Sequence, residues 1–404
     1  MHFSKLGAAS AILSLATASP TEYESSLEKR GLTFRVDQTL STAKDGQIVS
    51  GPAAVAAVYG KYGKTPPPDV AAAAASNEGT VAADPEQYDS EYLCPVTIGT
   101  SGVTLNLDFD TGSSDLWVFS SELPAADQTG HSIYTPSGST SSSIESGETW
   151  SISYGDGSGA SGNIYADTVK VGAVTVTSQA VECATSISSQ FVSDTDSDGL
   201  LGLAFDSINT ASPNKVQTFV GNALPNLASP LFTANLKKGE PGNYNFGYID
   251  SSEYTGAITY VPVNTANGFW EFTGNGYAVG TGAFVTSSAD AIADTGTTLL
   301  YLPTTWVTAY YAKVSGAKYV SSQGGYTFPC SATLPSLTLG IGSGKFTVPG
   351  TYINYAPATG STCFGGVQRN TGIGFSIYGD IFLKSQFVVF NQGTTQLGFA
   401  AKPT

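Results

Sequence analysis

Two short stretches of this 404-residue chain place a carboxylate where a buried strand runs into a turn. In "LNLDFDTGSSDLWVF", residues 105–119, Leu105, Leu107 and Phe109 alternate with polar positions, the period of a half-buried strand. Asp110 is delivered into a Thr-Gly-Ser turn, and the chain returns apolar at Leu116, Trp117, Val118 and Phe119. "DAIADTGTTLLYLP", residues 290–303, repeats the arrangement at Asp294, 184 positions on. If the two turns meet at a pseudo-twofold axis, the carboxylates lie roughly 3 Å apart, share one proton and titrate as a pair. The ionised member can take a proton from a water held between them while the protonated member polarises a carbonyl. Attack of that water on a peptide carbonyl would give a tetrahedral diol with no covalent adduct.

Each turn carries the groups such a pair needs. Gly112 and Gly296 let backbone approach the carboxylates, and Ser113 and Thr297, three residues after each Asp, are placed to donate hydrogen bonds to them. One Asp-Thr-Gly turn alone is weak evidence, because an Asp often just caps its own turn. Here the halves also match further on. Asp110 is followed by "DGLLGLAF" and Asp294 by "SIYGDIFL", with an apolar-apolar-Gly ending at Gly202 and Gly379, 92 and 85 residues after the respective Asp. This is the pattern of a duplicated lobe.

Other chemistries fail on inventory. With His2 at the extreme N-terminus, His131 is the only other histidine, in the polar stretch "DQTGHSIYTP", where it reads as a surface residue. There is no G-x-S-x-G elbow, no H-E-x-x-H and no phosphate or dinucleotide fingerprint, so neither metal nor cofactor is expected.

The elements that position the pair are mostly strands. The chain is rich in Gly, Tyr and Phe and only 12% charged, which favours antiparallel strands and turns. Helical periodicity is best at 214–224 and 303–314. "WSISYGDGSGASGNIY", residues 150–165, is a hairpin with Tyr154 near a Gly-Asp-Gly-Ser tip, able to fold over a cleft.

The N-terminus reads as a secretory signal over 1–18: Lys5, an apolar run over 6–15, then Ala16-Thr17-Ala18. That run is too short to span a bilayer. Residues 29–64 hold six basic against two acidic residues, net +4, whereas residues 84–404 hold ten against 25, net −15. The Pro- and Ala-rich stretch 65–85 between them reads as a linker. A basic segment ahead of an acidic body suggests a removable prosegment docked by charge. The acidic body argues against nucleic acid or anionic membrane as partners. Four cysteines allow three disulfide connectivities, and no N-glycosylation sequon occurs.

Together "DTGSSDLWVF", "SYGDGS", "DGLLGLAF", "IADTGTTLL" and "SIYGDIFLKSQFVVFN" resemble a pepsin-family aspartic endopeptidase of the secreted fungal penicillopepsin, aspergillopepsin and endothiapepsin type, from about residue 84 to the end. The shared-proton behaviour above is what is known of that family's Asp pair. The resemblance implies an all-β, bilobal fold with the cleft between lobes: a prosegment over 19–75, ending within about 71–83, an N-terminal lobe over 76–256 with the flap at 150–165, and a C-terminal lobe over 257–404. It makes Asp110 and Asp294 catalytic, with Ser113 and Thr297 beside them and Thr111 and Thr295 cross-bracing the turns. Tyr154 becomes the flap tyrosine, with Trp117 behind it. Gly155, Asp156, Ser158, Gly112 and Gly296 bind substrate, and Leu200 and Ile377 form apolar subsite walls. An Asp at 156 accompanies tolerance of Lys before the cut. Lys61, in "VYGKYGK", becomes the prosegment lysine on the aspartates, with Lys64 the second choice. Cys330–Cys363 matches the family's C-terminal-lobe disulfide. Cys94 and Cys183 depart from the pattern and are either an extra bridge or two buried thiols. The expected protein is a secreted, metal-free, monomeric acid endopeptidase acting on polypeptides, with its own prosegment as inhibitor.

Overall fold

Runs of alternating or continuous apolar residues become strands, gathered mainly into one large sheet per lobe and a third between the lobes. The structure is a computed structural model and describes residues 31–40, 48–76, 80–82, 92–154 and 158–403. The fold is all-β and bilobal. The first lobe's eight-stranded sheet contains Tyr92–Ile98, Val103–Asp110, Gly199–Gly202, Leu116–Val118, Val174–Ile187, Gly159–Val171 and Ser143–Ser153 in that spatial order, after the short Thr39–Leu40. A further pairing of Tyr92–Ile98 with Gly159–Val171 curls it. The second lobe's seven-stranded sheet is centred on Glu271–Val279, Val285–Ala293, Ser376–Tyr378 and Leu300–Leu302.

The internal repeat is visible in the strand pairing. Val103–Asp110 pairs in parallel with Gly199–Gly202, which pairs antiparallel with Leu116–Val118. In the second lobe, Val285–Ala293 pairs in parallel with Ser376–Tyr378, which pairs antiparallel with Leu300–Leu302. The glycine closing each unit permits a close approach. A Cβ on Gly202 would sit 2.5 Å from Ser114 Cα, and one on Gly379 would sit 2.1 Å from the Thr297 carbonyl oxygen.

A six-stranded sheet joins the lobes, in the order Phe34–Asp37, Asn243–Phe246, Leu231–Asn235, Gln386–Asn391, Gln396–Ala401, Thr255–Pro262. Its rings stack in pairs, Phe34 on Phe246 at 4.6 Å and Phe232 on Phe390 at 4.7 Å. The edge strand thus comes from the basic N-terminal segment.

Helices Phe219–Ala223 and Thr304–Tyr311 lie inside the periodic stretches but are shorter than them. Among the described residues five other α-helices were not anticipated, and the two longest lie in the N-terminal segment. Gly51–Lys61 is capped by Ser50, whose hydroxyl accepts from the Ala53 amide, and has Pro52 in its first turn. Pro68–Ser76 falls in the stretch read as a linker, where consecutive alanines favour helix. Among the described residues no helix is long and apolar enough to cross a membrane.

Cys330 and Cys363 form a disulfide with Cα atoms 4.9 Å apart. The extra bridge does not form: Cys94 and Cys183 are separate buried thiols. Cys94 lies on Tyr92–Ile98 and Cys183 on Val174–Ile187, with Gly159–Val171 between them in the curled sheet. Strands two places apart are separated by roughly 9–10 Å, too far for a bridge.

Behind the first turn lies a buried acid pair. Asp115 Oδ1 accepts from the Thr210 amide and hydroxyl, both at 2.8 Å, and Asn209 Nδ2 donates to Asp115 Oδ1 and to Glu182 Oε1. Burial, then the Asp115 charge, hold the Glu182 carboxyl well above its ordinary value. A carboxyl raised in the fold stabilises it fully only below its unfolded value of 4.5 and loses that contribution as pH rises. Thermal unfolding should therefore show a midpoint falling by several degrees from pH 4 to 7. Glu182→Gln, which cannot ionise, should fall less steeply; parallel curves for the two proteins would remove this pair as a cause.

Candidate active site

Each half holds its Asp on a turn that the other half braces. The Thr111 amide donates to Thr295 Oγ1 at 3.0 Å, and the Thr295 amide donates to Thr111 Oγ1 at 3.0 Å. The hydroxyls cross in turn, Thr111 to the Ala293 carbonyl at 2.9 Å and Thr295 to the Phe109 carbonyl at 2.5 Å. Each turn's buried groups find their partners in the other turn, so the two fix each other's position.

Above this brace, Asp110 and Asp294 are fully buried and hydrogen-bonded to each other. The Gly112 amide donates to Asp110 Oδ1 at 2.7 Å and the Gly296 amide to Asp294 Oδ1 at 3.0 Å. Ser113 Oγ donates to Asp110 Oδ2 at 2.6 Å, and Thr297 Oγ1 donates to Asp294 Oδ2. Each glycine also makes room for the opposite carboxylate. A Cβ on Gly112 would lie 2.5 Å from Asp294 Oδ1, and one on Gly296 would lie 2.3 Å from Asp110 Oδ1.

Lys61, the last residue of its helix, reaches this pair. Its Nζ donates to Asp110 Oδ1 at 2.9 Å, to Asp294 Oδ1 and Oδ2 at 3.0 and 3.1 Å, and to the Gly296 carbonyl at 2.9 Å. Burial works against its charge, but the two carboxylates override it and raise the ammonium above its ordinary value. Tyr62, the next residue, donates its hydroxyl to Asp294 Oδ2 and packs edge-on against Phe269 and Phe375. The reading of the sequence missed Tyr62; its only signal was adjacency to Lys61. Lys64, the second choice, is not among the residues on the aspartates.

The pair is split electrostatically. Burial raises Asp110, the Lys61 charge opposes it, and the Asp294 charge adds to the rise. Burial acts on Asp294 too, but Lys61 and hydrogen bonds from Thr297, Tyr62 and Asp110 outweigh it and lower its value.

A cavity of about 200 Å³ opens beside Asp110, lined on one wall by Tyr154, Ser158, Phe191, Asp194, Ser197 and Leu200 and roofed by the Lys61 helix. Trp117 Nε1 donates to the Tyr154 hydroxyl at 3.3 Å, and the Tyr154 amide donates to the Ser158 carbonyl at 2.7 Å, closing the hairpin tip. Gly155 and Asp156 lie outside the described residues. Leu200 reaches the cavity; Ile377 does not. Ile377 is fully buried at the centre of the second sheet, between Ile292 and Tyr301, so it is core and not a subsite wall. Asp108, two residues before Asp110, lines the cavity as well. Burial and then the Asp110 charge push it well up, and its Oδ1 has no hydrogen-bond partner. Among the described residues no group of three or more His, Cys, Asp or Glu is placed to hold a metal.

Two Asp-Thr-Gly turns, one per lobe, cross-braced at the lobe junction, define the aspartic endopeptidases, and the chain belongs to the eukaryotic aspartyl protease family, whose profile matches residues 91–402. Within that family it is similar to the fungal enzymes. It is 56% identical to endothiapepsin of Cryphonectria parasitica over 87% of both chains. It is 56% identical to aspergillopepsin-1 of Aspergillus fumigatus over 91% of this chain and 92% of that one. It is 57% identical to penicillopepsin-3 of Penicillium janthinellum over 84% and 85%. The aspartic proteinase from Irpex lacteus superposes with a TM-score of 0.64 at 25% identity, covering 78% of this chain and 94% of that one.

Proposed function

We propose that the protein is made as a secreted zymogen in which residues 19–75 form the prosegment behind a signal at 1–18, and that Asp110 and Asp294 hydrolyse peptide bonds once that segment leaves. The observation that carries the reading is the Lys61 ammonium, which sits between both carboxylates where the attacking water and the scissile carbonyl would have to lie. With Lys61 gone, the two carboxylates divide the work, one taking a proton from water while the other donates to the carbonyl. Ser113 and Thr297 hold the two carboxylates in plane, and Tyr154 covers the bond from the hairpin side. Side chains flanking the cut would enter the cavity walled by Leu200 and Phe191, which favours large apolar residues. A Lys before the cut would be accepted because Asp156 and the unpartnered Asp108 offer compensation for its lost hydration.

Activation follows from the same charges. Lys61 stays protonated throughout the acid range, so the titrating partners are the carboxylates. Asp294 is held below its ordinary 3.8, so the tie to Lys61 is intact above that value and is lost as pH falls through the lowered one. Release of the segment exposes the bond to be cut, within about 71–83.

Three measurements check this reading. Hydrolysis of a protein substrate at about pH 3–5, blocked by a statine-type inhibitor, should fall by roughly 10³-fold or more in Asp110→Asn; retained activity overturns the dyad. The Lys61→Ala chain should convert to the shorter form at a pH about one unit higher than wild type, followed by gel and mass spectrometry; an unchanged threshold overturns the role of Lys61. Asp156→Thr should lower kcat/KM for peptides with Lys before the cut by about tenfold while sparing Phe and Leu; equal loss on both overturns the role of Asp156.

A further inference from the structure

The side chain of His131 is turned inward, although its neighbours Thr129, Gly130 and Ser132 are exposed. The imidazole is fully buried and stacks on Phe119 with centroids 3.7 Å apart and planes 12° apart. Both ring nitrogens point at backbone carbonyls: Nδ1 is 3.0 Å from the Ser197 oxygen and Nε2 is 3.2 Å from the Val192 oxygen. A carbonyl can only accept. A neutral imidazole has one N–H and satisfies one of these contacts; only the doubly protonated ring satisfies both.

The two carbonyls bracket the segment 192–197. With Phe191 just before it, this segment supplies Phe191, Asp194 and Ser197 to the cavity beside Asp110. Phe191 also meets Trp117 at 5.0 Å and Tyr154 at 5.3 Å, both edge-on. Asp198 is the charged group nearest the ring, with Oδ1 3.9 Å from Nδ1. Its carboxyl accepts from the Ser132 amide at 2.7 Å and the Asn106 amide at 2.9 Å. Asp194 and Asp196 lie on the bracketed segment and Asp127 on the ring's own loop, while the strand beneath contributes the Phe119 ring. Glu122 is turned away, bonded to Asn163 and Tyr165. Every acidic neighbour favours a charged ring.

We infer that His131 is a positioning residue for substrate: as an imidazolium it pins both ends of the 192–197 wall, and when it loses its proton one end is released and peptide binds more weakly. The inference rests on the reading of this cavity as the substrate cleft. The brace is complete while the ring carries both protons and loses one hydrogen bond when it gives one up. Binding, and not the chemistry at the aspartates, is the step it governs.

The processed enzyme without residues 1–75 contains one histidine, so its ring nitrogens can be followed individually by NMR in ¹⁵N-histidine-labelled protein. At pH 4–5 both should carry protons bonded across to the Val192 and Ser197 carbonyls. KM for a peptide substrate should rise about fivefold, the weight of one net hydrogen bond, as the ring deprotonates, with kcat following the dyad alone. His131→Phe keeps the stack on Phe119 without donors and should show the raised KM already at pH 4 and no further step. His131→Gln, which can donate at one end, should fall between. A neutral single tautomer at pH 4–5 overturns the inference, as does a KM profile in His131→Phe that overlays wild type. The NMR result decides the matter even if His131→Phe does not fold. It is also independent of whether Asp110→Asn abolishes activity, so a failure of the dyad reading would be recognised separately.

Discussion

Two carboxylates with no exposure to water, bonded to each other, cannot both be charged unless something compensates. The rest of the molecule answers that constraint. Backbone amides and hydroxyls from the two turns stabilise the charge that remains, glycines keep the contact short, and the threonine brace makes the separation independent of either lobe's flexing. In the structure described, the remaining compensation comes from an ammonium and a phenol supplied by the N-terminal segment.

The same principle recurs around the site. Glu182, Asp108 and Asp380 are all pushed well up by burial. Buried acids of this kind are inexpensive when protonated at low pH and become costly near neutrality. An overall charge of −15 adds self-repulsion in the same direction. Acidity is therefore the condition under which the scaffold is least strained electrostatically.

What could be read from the sequence was what is encoded locally and twice. The Asp-Thr-Gly-Ser/Thr turns, the strands feeding them and the closing apolar-apolar-Gly units each carry their pattern within a dozen residues, and duplication separates them from chance. The threonine brace was legible only through family likeness, because its partners are 184 residues apart. Contacts made through packing were not legible. His131 sits in polar sequence, yet its partners lie 61 and 66 residues on. Tyr62 has no signature until the helix before it is docked. The alanine run at 71–75 was misjudged because proline and alanine together resemble a tether, although alanine alone is the best helix former. Ile377 was assigned to a wall by its place in a motif, whereas every residue of its strand is buried inside the sheet.

The edge strand Phe34–Asp37 has a bearing on how the molecule ages. It pairs over four residues with Asn243–Phe246 and lays Phe34 flat on Phe246. Whatever removes it strips one side of the sheet that joins the lobes, baring amide and carbonyl groups beside an aromatic face. Under the proposed activation, acid would bring that about while also neutralising the carboxylates whose mutual repulsion keeps copies of the chain apart. Colloidal risk is thus concentrated in one brief interval, between departure of the strand and the covering of that border by other chain, and the speed of that covering bears on how much protein survives in solution.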